Sequence, residues 1–133
     1  MPSFSGLSII ERIEVFRLAM TDHMSPLFDE IRELLAAPAG GAGAPALAHI
    51  EDTLTSGYAQ ALALEAERWR IERRMGEVAS QLSEESGLLR TEEIASLASR
   101  LSVADGELSH LRGLLASLRA RASDQRLAES RAM

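Results

Sequence analysis

The chain has 133 residues, a formal net charge of −6 and no cysteine. This length suits one domain, and the acidic balance disfavours a nucleic-acid-binding protein, which usually carries a concentrated basic face. The absence of cysteine excludes a disulfide scaffold and thiolate metal sites. Hydrophobic residues make up 46% of the chain but aromatic residues only 4%, and this Leu- and Ala-rich set favours packed helices over a sheet. We therefore predict an all-α protein.

The first predicted helix covers residues 8 to 36. Ser8 is its candidate N-cap, and Glu11, three residues later, is the candidate capping-box partner. Proline in a helix interior kinks or breaks the helix, and Pro26 lies inside the apolar pattern. The sequence therefore predicts either one helix kinked at Pro26 or two short collinear helices. The apolar stripe consists of Ile9, Ile13, Phe16, Met20, Met24, Leu27, Ile31 and Leu34.

A low-complexity segment of Ala, Gly and Pro follows at residues 37–45 and predicts a linker. The segment lacks the Gly-Lys-Ser/Thr ending of a phosphate-binding loop. A second helix is predicted over residues 46 to 82. Its main apolar stripe consists of Leu47, Ile50, Leu54, Ala61, Leu64, Ile71, Met75, Val78 and Leu82.

The second helix also carries a second stripe, formed by Tyr58, Leu62 and Trp69. At about 100° per residue this stripe lies well over 90° from Leu64 and Ile71, so the helix is apolar on two sides. Such a helix has either a neighbour on each side or one neighbour and an exposed docking face. Because doubly contacted helices are common in bundles, burial of the second stripe is the favoured expectation.

The third predicted helix covers residues 91 to 128, with Thr91 as its N-cap. It contains the most regular pattern in the chain, a run of a and d positions of a heptad repeat that we call the seam. At 1.5 Å per residue this helix is about 57 Å long. We therefore predict an elongated antiparallel helical hairpin or three-helix bundle with a long C-terminal coiled-coil helix. The seam consists of Ile94, Leu97, Leu101, Ala104, Leu108, Leu111, Leu115, Leu118, Ala122 and Gln125.

Few residues are candidates for chemistry. Glu107 and His110 form a Glu-x-x-His motif of the kind found in di-iron bundles, but the second motif and the further Glu residues of those sites are missing. His110 also falls at an outward heptad position, and one pair of ligands is too few for a protein metal site. No nucleophile motif or dinucleotide fingerprint is present. We therefore expect neither an enzyme nor a metal or cofactor site.

The cellular location is predicted from two further features. The N-terminus has no basic segment of the secretory type, and no apolar run approaches the roughly 18 residues of a membrane span. We therefore expect no membrane span and a cytoplasmic protein.

The stretch LALEAERWRIERRMG, residues 62–76, resembles the second helix of the flagellar export chaperones of the FlgN type. Members of that family form a helical hairpin followed by a long C-terminal coiled-coil helix, and they hold hook-filament junction proteins in an export-competent state. The helix order is similar over most of the chain, although the family joins its first two helices by a short acidic turn. The resemblance implies a role in protein transport, with a client bound at the region from Leu108 to Leu118 and beyond.

Two functions follow as hypotheses. The first is a chaperone that binds an amphipathic client helix through apolar residues at i, i+3, i+4 and i+7. The alternative is a coiled-coil oligomer or scaffold, a homodimer included, in which Arg100 would face Asp105 and Glu107 would face Arg112 across a parallel interface. The candidate partner-binding residues are Leu101, Leu108, Leu111, Leu115 and Leu118 on the seam and Tyr58, Leu62 and Trp69 on the second stripe.

Overall fold

The computed structural model of the chain describes residues 9–81 and 87–132; within 9–23 it describes the helix and, of the side chains, Glu11 alone. The described residues form three helices and no strand. They are α1 (Ile9–Ala36), α2 (Leu47–Ser80) and α3 (Gly87–Ala132). The prediction of an all-α helical bundle is confirmed.

Helix α1 continues through Pro26, so the predicted alternative of two short helices is wrong. The apolar stripe keeps its phase across this proline, so the stripe lies along one side of a continuous helix. Met24, Ile31 and Leu34 of the stripe are buried, as predicted, and so is Phe28, which the predicted stripe omitted. Ser8, the predicted N-cap, lies outside the described residues, as do the side chains of the stripe before Met24.

The linker between α1 and α2 is non-helical, as predicted. Gly41 has φ +83°, a left-handed conformation that residues with a Cβ rarely adopt. A glycine is therefore favoured at position 41.

Two side chains of α3 hold the ends of this linker. Arg121 donates hydrogen bonds from Nη1 to the carbonyl oxygen of Leu35, at 2.8 Å, and from Nη2 to that of Ala37. Gln125 Nε2 donates to the carbonyl oxygen of Pro45 at 2.8 Å. The guanidinium satisfies carbonyl groups that the end of α1 leaves without a helical partner, and its charge complements the helix dipole. These bonds fix the connection against α3.

The bounds of α2 and α3 differ from the predicted ones by a few residues. Helix α2 begins one residue later than predicted, with Ala46 as an N-cap that makes no side-chain hydrogen bond. Helix α3 begins at Gly87, so the prediction of Thr91 as its N-cap is wrong. Thr91 Oγ1 instead donates to the carbonyl oxygen of Gly87 at 2.7 Å, within the helix. The good helix formers at 88–90 extend α3 backwards.

Helix α3 is the central element of the bundle. Helices α1 and α2 both pack against it, whereas they contact each other little. Glu51 near the start of α2 pairs with Arg126 near the end of α3 at 2.8 Å, and Arg74 near the end of α2 pairs with Glu93 near the start of α3 at 2.8 Å. Helices α2 and α3 are therefore antiparallel. The expectation that α2 has a neighbour on each side is wrong.

The core consists of two clusters that follow the predicted stripes. The smaller cluster lies between α2 and α3 alone and is centred on Ile71, Val78 and Leu97. Leu82, the last residue of the predicted main stripe of the second helix, lies outside the described residues. The larger cluster joins all three helices and consists of Met24, Phe28, Ile31, Leu34, Ile50, Leu54, Ala61, Leu64, Leu108, Leu111, Leu115, Leu118 and Ala122.

Candidate helix-binding surface

The seam of α3 is covered by the chain itself. Leu111 and Leu118 are 0% exposed and Leu108 and Leu115 are 2% exposed, while Leu101 is half-buried. A partner could contact the four buried leucines only if α3 separated from its neighbours. The structure therefore places these predicted partner-binding residues in the core and not on a surface.

The charges beside the seam are also used within the chain. Three of the four residues predicted to form ion pairs across a parallel dimer pair with α2 instead. Since an antiparallel neighbour already occupies the seam, its e and g positions face α2 rather than a second copy. The pairs are Arg100 with Glu67 at 3.2 Å, Asp105 with Arg68 at 3.2 Å, and Arg112 with Glu65.

The second stripe of α2 is exposed. Tyr58 is 41% exposed, Leu62 66% and Trp69 58%, so the expectation that this stripe is buried is wrong. The reason is the central position of α3, which leaves α2 with one extensive neighbour and this face uncovered. Large apolar side chains grouped on one face of a helix are typical of an interaction surface.

A groove of about 380 Å³ lies between α2 and α3 beside the second stripe. The short side chains of Ala61 and Ala116 leave this space between larger neighbours. One wall is mainly apolar and the other carries two arginines, a combination suited to an amphipathic ligand. The groove is lined by Tyr58, Ala61, Leu62 and Glu65 from α2 and by Arg112, Leu115, Ala116 and Arg119 from α3.

The two arginines of the groove differ in their contacts. Arg112 forms an ion pair with Glu65 across the groove. Arg119 is exposed and has neither an ion pair nor a hydrogen bond through its side chain within the described ranges 9–81 and 87–132. Arg119 is therefore available to a ligand without first breaking a contact of the chain.

Trp69 lies along the same face of α2, beyond the groove. The guanidinium carbon of Arg73 lies 5.3 Å from the centroid of its ring, within the range of a cation–π contact. Arg73 Nε is also 3.5 Å from Glu77 Oε1. The contact with Arg73 orients the ring of Trp69, which remains largely open to solvent.

Among the residues that the structure describes, a pair of groups that lies away from the groove has shifted pKa values. Hydrogen bonds from Arg74 Nε and Nη2 to Glu93 Oε1, at 3.0 and 2.8 Å, lower the pKa of Glu93 below its ordinary range and raise the pKa of Arg74. Because the pKa of Glu93 is lowered by folding, the pair stabilises the fold at pH values above the ordinary pKa of a glutamate. This stabilisation is lost as the pH falls through the pKa that Glu93 has in the folded state. The pair links the end of α2 to the start of α3 and is structural.

His110 of the Glu-x-x-His motif contacts side chains of α1. The ring of His110 meets that of Phe28 edge-on with centroids 4.8 Å apart, and Arg32 Nη2 donates to His110 Nε2 at 3.0 Å. Glu107 is half-buried on α3. In the part of the chain that the structure describes, no three His, Asp or Glu side chains come together as metal ligands. Nor does any helix there have the length and apolar character to cross a membrane.

Comparison with known proteins gives no family for this chain: no family model, curated protein or solved structure matches it. The similarity to FlgN-type chaperones therefore stays a prediction.

Tyr58 and Leu62 on one wall of the groove and Leu115 on the other were predicted as partner-binding residues. The remaining α3 residues of the groove were not. Arg112 and Arg119 occupy e positions of the heptad repeat and Ala116 a b position, so none of them belongs to the seam. With the predicted antiparallel hairpin applied to the heptad repeat of α3, the e positions indicate which charges lie beside α2.

We expect Trp69→Ala to change the free energy of unfolding by less than about 1 kcal/mol, because an exposed side chain contributes little beyond its cation–π contact. Trp69 fluorescence in the wild-type protein should have the emission maximum of a solvated indole. Urea titrations followed by circular dichroism measure the first quantity. Ile71→Ala, at a position 2% exposed on the same helix, is the control and should cost about 2–5 kcal/mol. A blue-shifted emission or equal losses in both variants would contradict exposure.

Proposed function

We propose that this chain is a non-enzymatic protein-binding module of the export-chaperone kind, which holds an amphipathic helix of a client protein. The observation that carries the proposal is the exposure of Tyr58, Leu62 and Trp69 on one face of α2 while the seam of α3 is already covered. The surface left for a partner is this stripe together with the adjoining groove.

The spacing of the stripe suits a helical ligand. Tyr58 and Leu62 are four residues apart and Leu62 and Trp69 seven, which at 1.5 Å per residue spreads them over about 16 Å along α2. An amphipathic helix of three turns covers this distance with apolar residues on one face at i, i+4, i+7 and i+11. Large aromatic side chains such as Tyr58 and Trp69 are frequent anchors in interfaces.

The chaperone assignment is supported by where the resemblance falls on the structure. The stretch 62–76 includes Leu62 and Trp69 of the stripe. The part of α3 that the resemblance implies for client binding includes Arg112 and Ala116, which line the groove from the other side. The two regions therefore meet at one surface, although the seam leucines of that part of α3 are buried.

The stripe is small for a stable homodimer. A large side chain buries about 150–250 Å², so the exposed fractions of these three residues leave on the order of 350 Å² of contact area. A stable protein pair buries about 800 Å² on each partner. The ion pairs that α2 makes to Arg100, Asp105 and Arg112 already use most of the charges that a parallel dimer would pair, which favours a client helix over the scaffold alternative.

Binding to a purified hook-filament junction protein from the same organism tests the proposal. Size-exclusion chromatography with light scattering should show a one-to-one complex with the wild-type chain. Leu62→Glu should abolish the complex, because a charge then lies in the apolar contact. The matched control is Ala63→Glu, an exposed position on the same helix but off the stripe, which should leave the complex intact.

Two results would contradict the proposal. One is the absence of a complex with the wild-type chain, and the other is a complex that Leu62→Glu retains. A concentration-dependent doubling of the chain's own mass, lost in Leu62→Glu, would instead favour the scaffold function.

A further inference from the structure

We propose that the groove selects acidic client helices, and specifically those with two carboxylates seven residues apart that pair with Arg112 and Arg119. This inference rests on the proposed function and specifies the chemistry of its client. The occupant is thus an amphipathic helix with an apolar flank for α2 and an acidic flank for α3.

The spacing of the two arginines sets the spacing of the carboxylates. Arg112 and Arg119 are seven residues apart, two turns of α3, and both line the same wall of the groove. Seven residues rise about 10.5 Å along a helix. A client helix lying along the groove presents its own residues i and i+7 on one face with the same rise. Glutamates at those positions therefore match both guanidinium groups at once.

Arg119 accounts for selection against other helices. Any ligand that fills the apolar groove removes water from this guanidinium, which has no partner in the part of the chain that the structure describes. Desolvating a charge without a counter-charge is costly, whereas a carboxylate on the ligand compensates for the lost water. A basic or neutral client is therefore disfavoured by the same residue that favours an acidic one.

The charge of the groove is opposite to that of the whole chain. Arg112 and Arg119 outnumber Glu65 on its walls, while the formal net charge of the chain is −6. An acidic helix is consequently repelled by most of the surface and attracted at the groove. Arg112 already forms an ion pair with Glu65. Arg119 therefore makes the larger contribution to the preference for an acidic client helix.

Three model peptides of about 18 residues, or five helical turns, test the inference with the full-length chain. They share the same Leu residues at i, i+3, i+4 and i+7 and differ at two flanking positions seven residues apart, which hold Glu, Gln or Lys. Isothermal titration calorimetry should show that the Glu peptide binds about three- to tenfold more tightly than the Gln peptide. The Lys peptide should bind more weakly than both. The difference should shrink in high salt.

A charge reversal supplies the decisive comparison. In Arg119→Glu the Lys peptide should bind more tightly than the Glu peptide, while the affinity for the Gln peptide should stay within about twofold of the wild-type value. The control is Arg131→Glu, which makes the same charge change on α3 outside the groove and should preserve the wild-type order. Circular dichroism verifies that both variants keep their helix content.

The outcomes separate this inference from the proposed function. If no peptide binds the wild-type chain, the helix-binding function and the inference both fail. If all three peptides bind equally, or Arg119→Glu keeps the wild-type order, the charge selection is overturned and helix binding stands. Self-association of the chain through the groove, seen as a doubled mass that the peptides reverse, would replace the client by a second copy and also overturn the inference.

Discussion

Leu111→Asp should unfold the bundle, with a loss of about 5 kcal/mol or more in the free energy of unfolding. Leu111 is 0% exposed and belongs to the cluster in which all three helices meet. Truncating a buried leucine costs about 2–5 kcal/mol, and a carboxylate buried without a partner adds to this. Since domains of this size are stable by only about 5–15 kcal/mol, most of the protein should lose its structure.

Circular dichroism during urea titration measures this loss. Ser109→Asp is the control, because Ser109 is exposed on the same helix two residues away, and its effect should stay within about 0.5 kcal/mol. A Leu111→Asp protein that kept its helix content and cooperative unfolding but lost client binding would show that the seam is a docking surface, as the sequence had suggested.

Periodicity predicted most of the buried positions that the structure describes in α2 and α3. The stripe of α2 and the seam of α3 both proved to be core, because a repeat of apolar residues on one helix face requires a covering element. The repeat does not specify whether that element comes from the same chain or from another. For Leu108 and Leu118, the seam was correctly recognised as buried contact, and in the structure that contact is made within the chain.

The second stripe could not be placed from the sequence for a related reason. Tyr58 and Trp69 make α2 apolar on two sides, but a helix pattern does not state which neighbour lies where. Their exposure follows from α1 packing mainly on α3, which is a property of the assembled bundle. The contacts of Arg121 with the end of α1 depend on the same assembly, since they join residues more than 80 positions apart.

The start of α3 shows a local limit of sequence interpretation. Thr91 followed by two glutamates has the composition of a helix N-terminus, yet the helix begins four residues earlier. Intrinsic propensity of the residues at 88–90 outweighs the capping signal, and the threonine hydroxyl bonds to the backbone within the helix. Composition identifies the neighbourhood of a helix end better than its first residue.

Gly57→Ala should destabilise the protein by about 1–2 kcal/mol, although the same change normally stabilises a helix. Alanine is favoured over glycine in a helix interior by about 1 kcal/mol. At Gly57, however, an added Cβ would collide with Leu115 Cδ2 and lie 3.3 Å from Leu115 Cγ. Leu115 is 2% exposed and cannot move aside freely, and overpacking of this kind costs about 1–3 kcal/mol.

Gly76→Ala is the matched control on the same helix, because an added Cβ there meets nothing within 4 Å. It should stabilise the protein by about 0.5–1 kcal/mol, so the two substitutions should differ in sign. In the double variant Gly57→Ala with Leu115→Ala, the effect of the alanine at 57 should become favourable, since the colliding atoms are gone. Equal stabilisation by both single substitutions would show that α2 and α3 separate easily at this point.

Gly57→Ala also tests whether the shape of the groove depends on the packing of α2 against α3. Gly57 precedes Tyr58, and Leu115 lines the groove, so an added methyl group that separates α2 from α3 here also moves the two walls apart. A client helix that bridges the apolar wall and the arginines would then lose contact on one side. We therefore expect Gly57→Ala to weaken binding of the acidic peptide, and Gly76→Ala to leave it unchanged, when both are titrated under conditions in which the bundle remains folded.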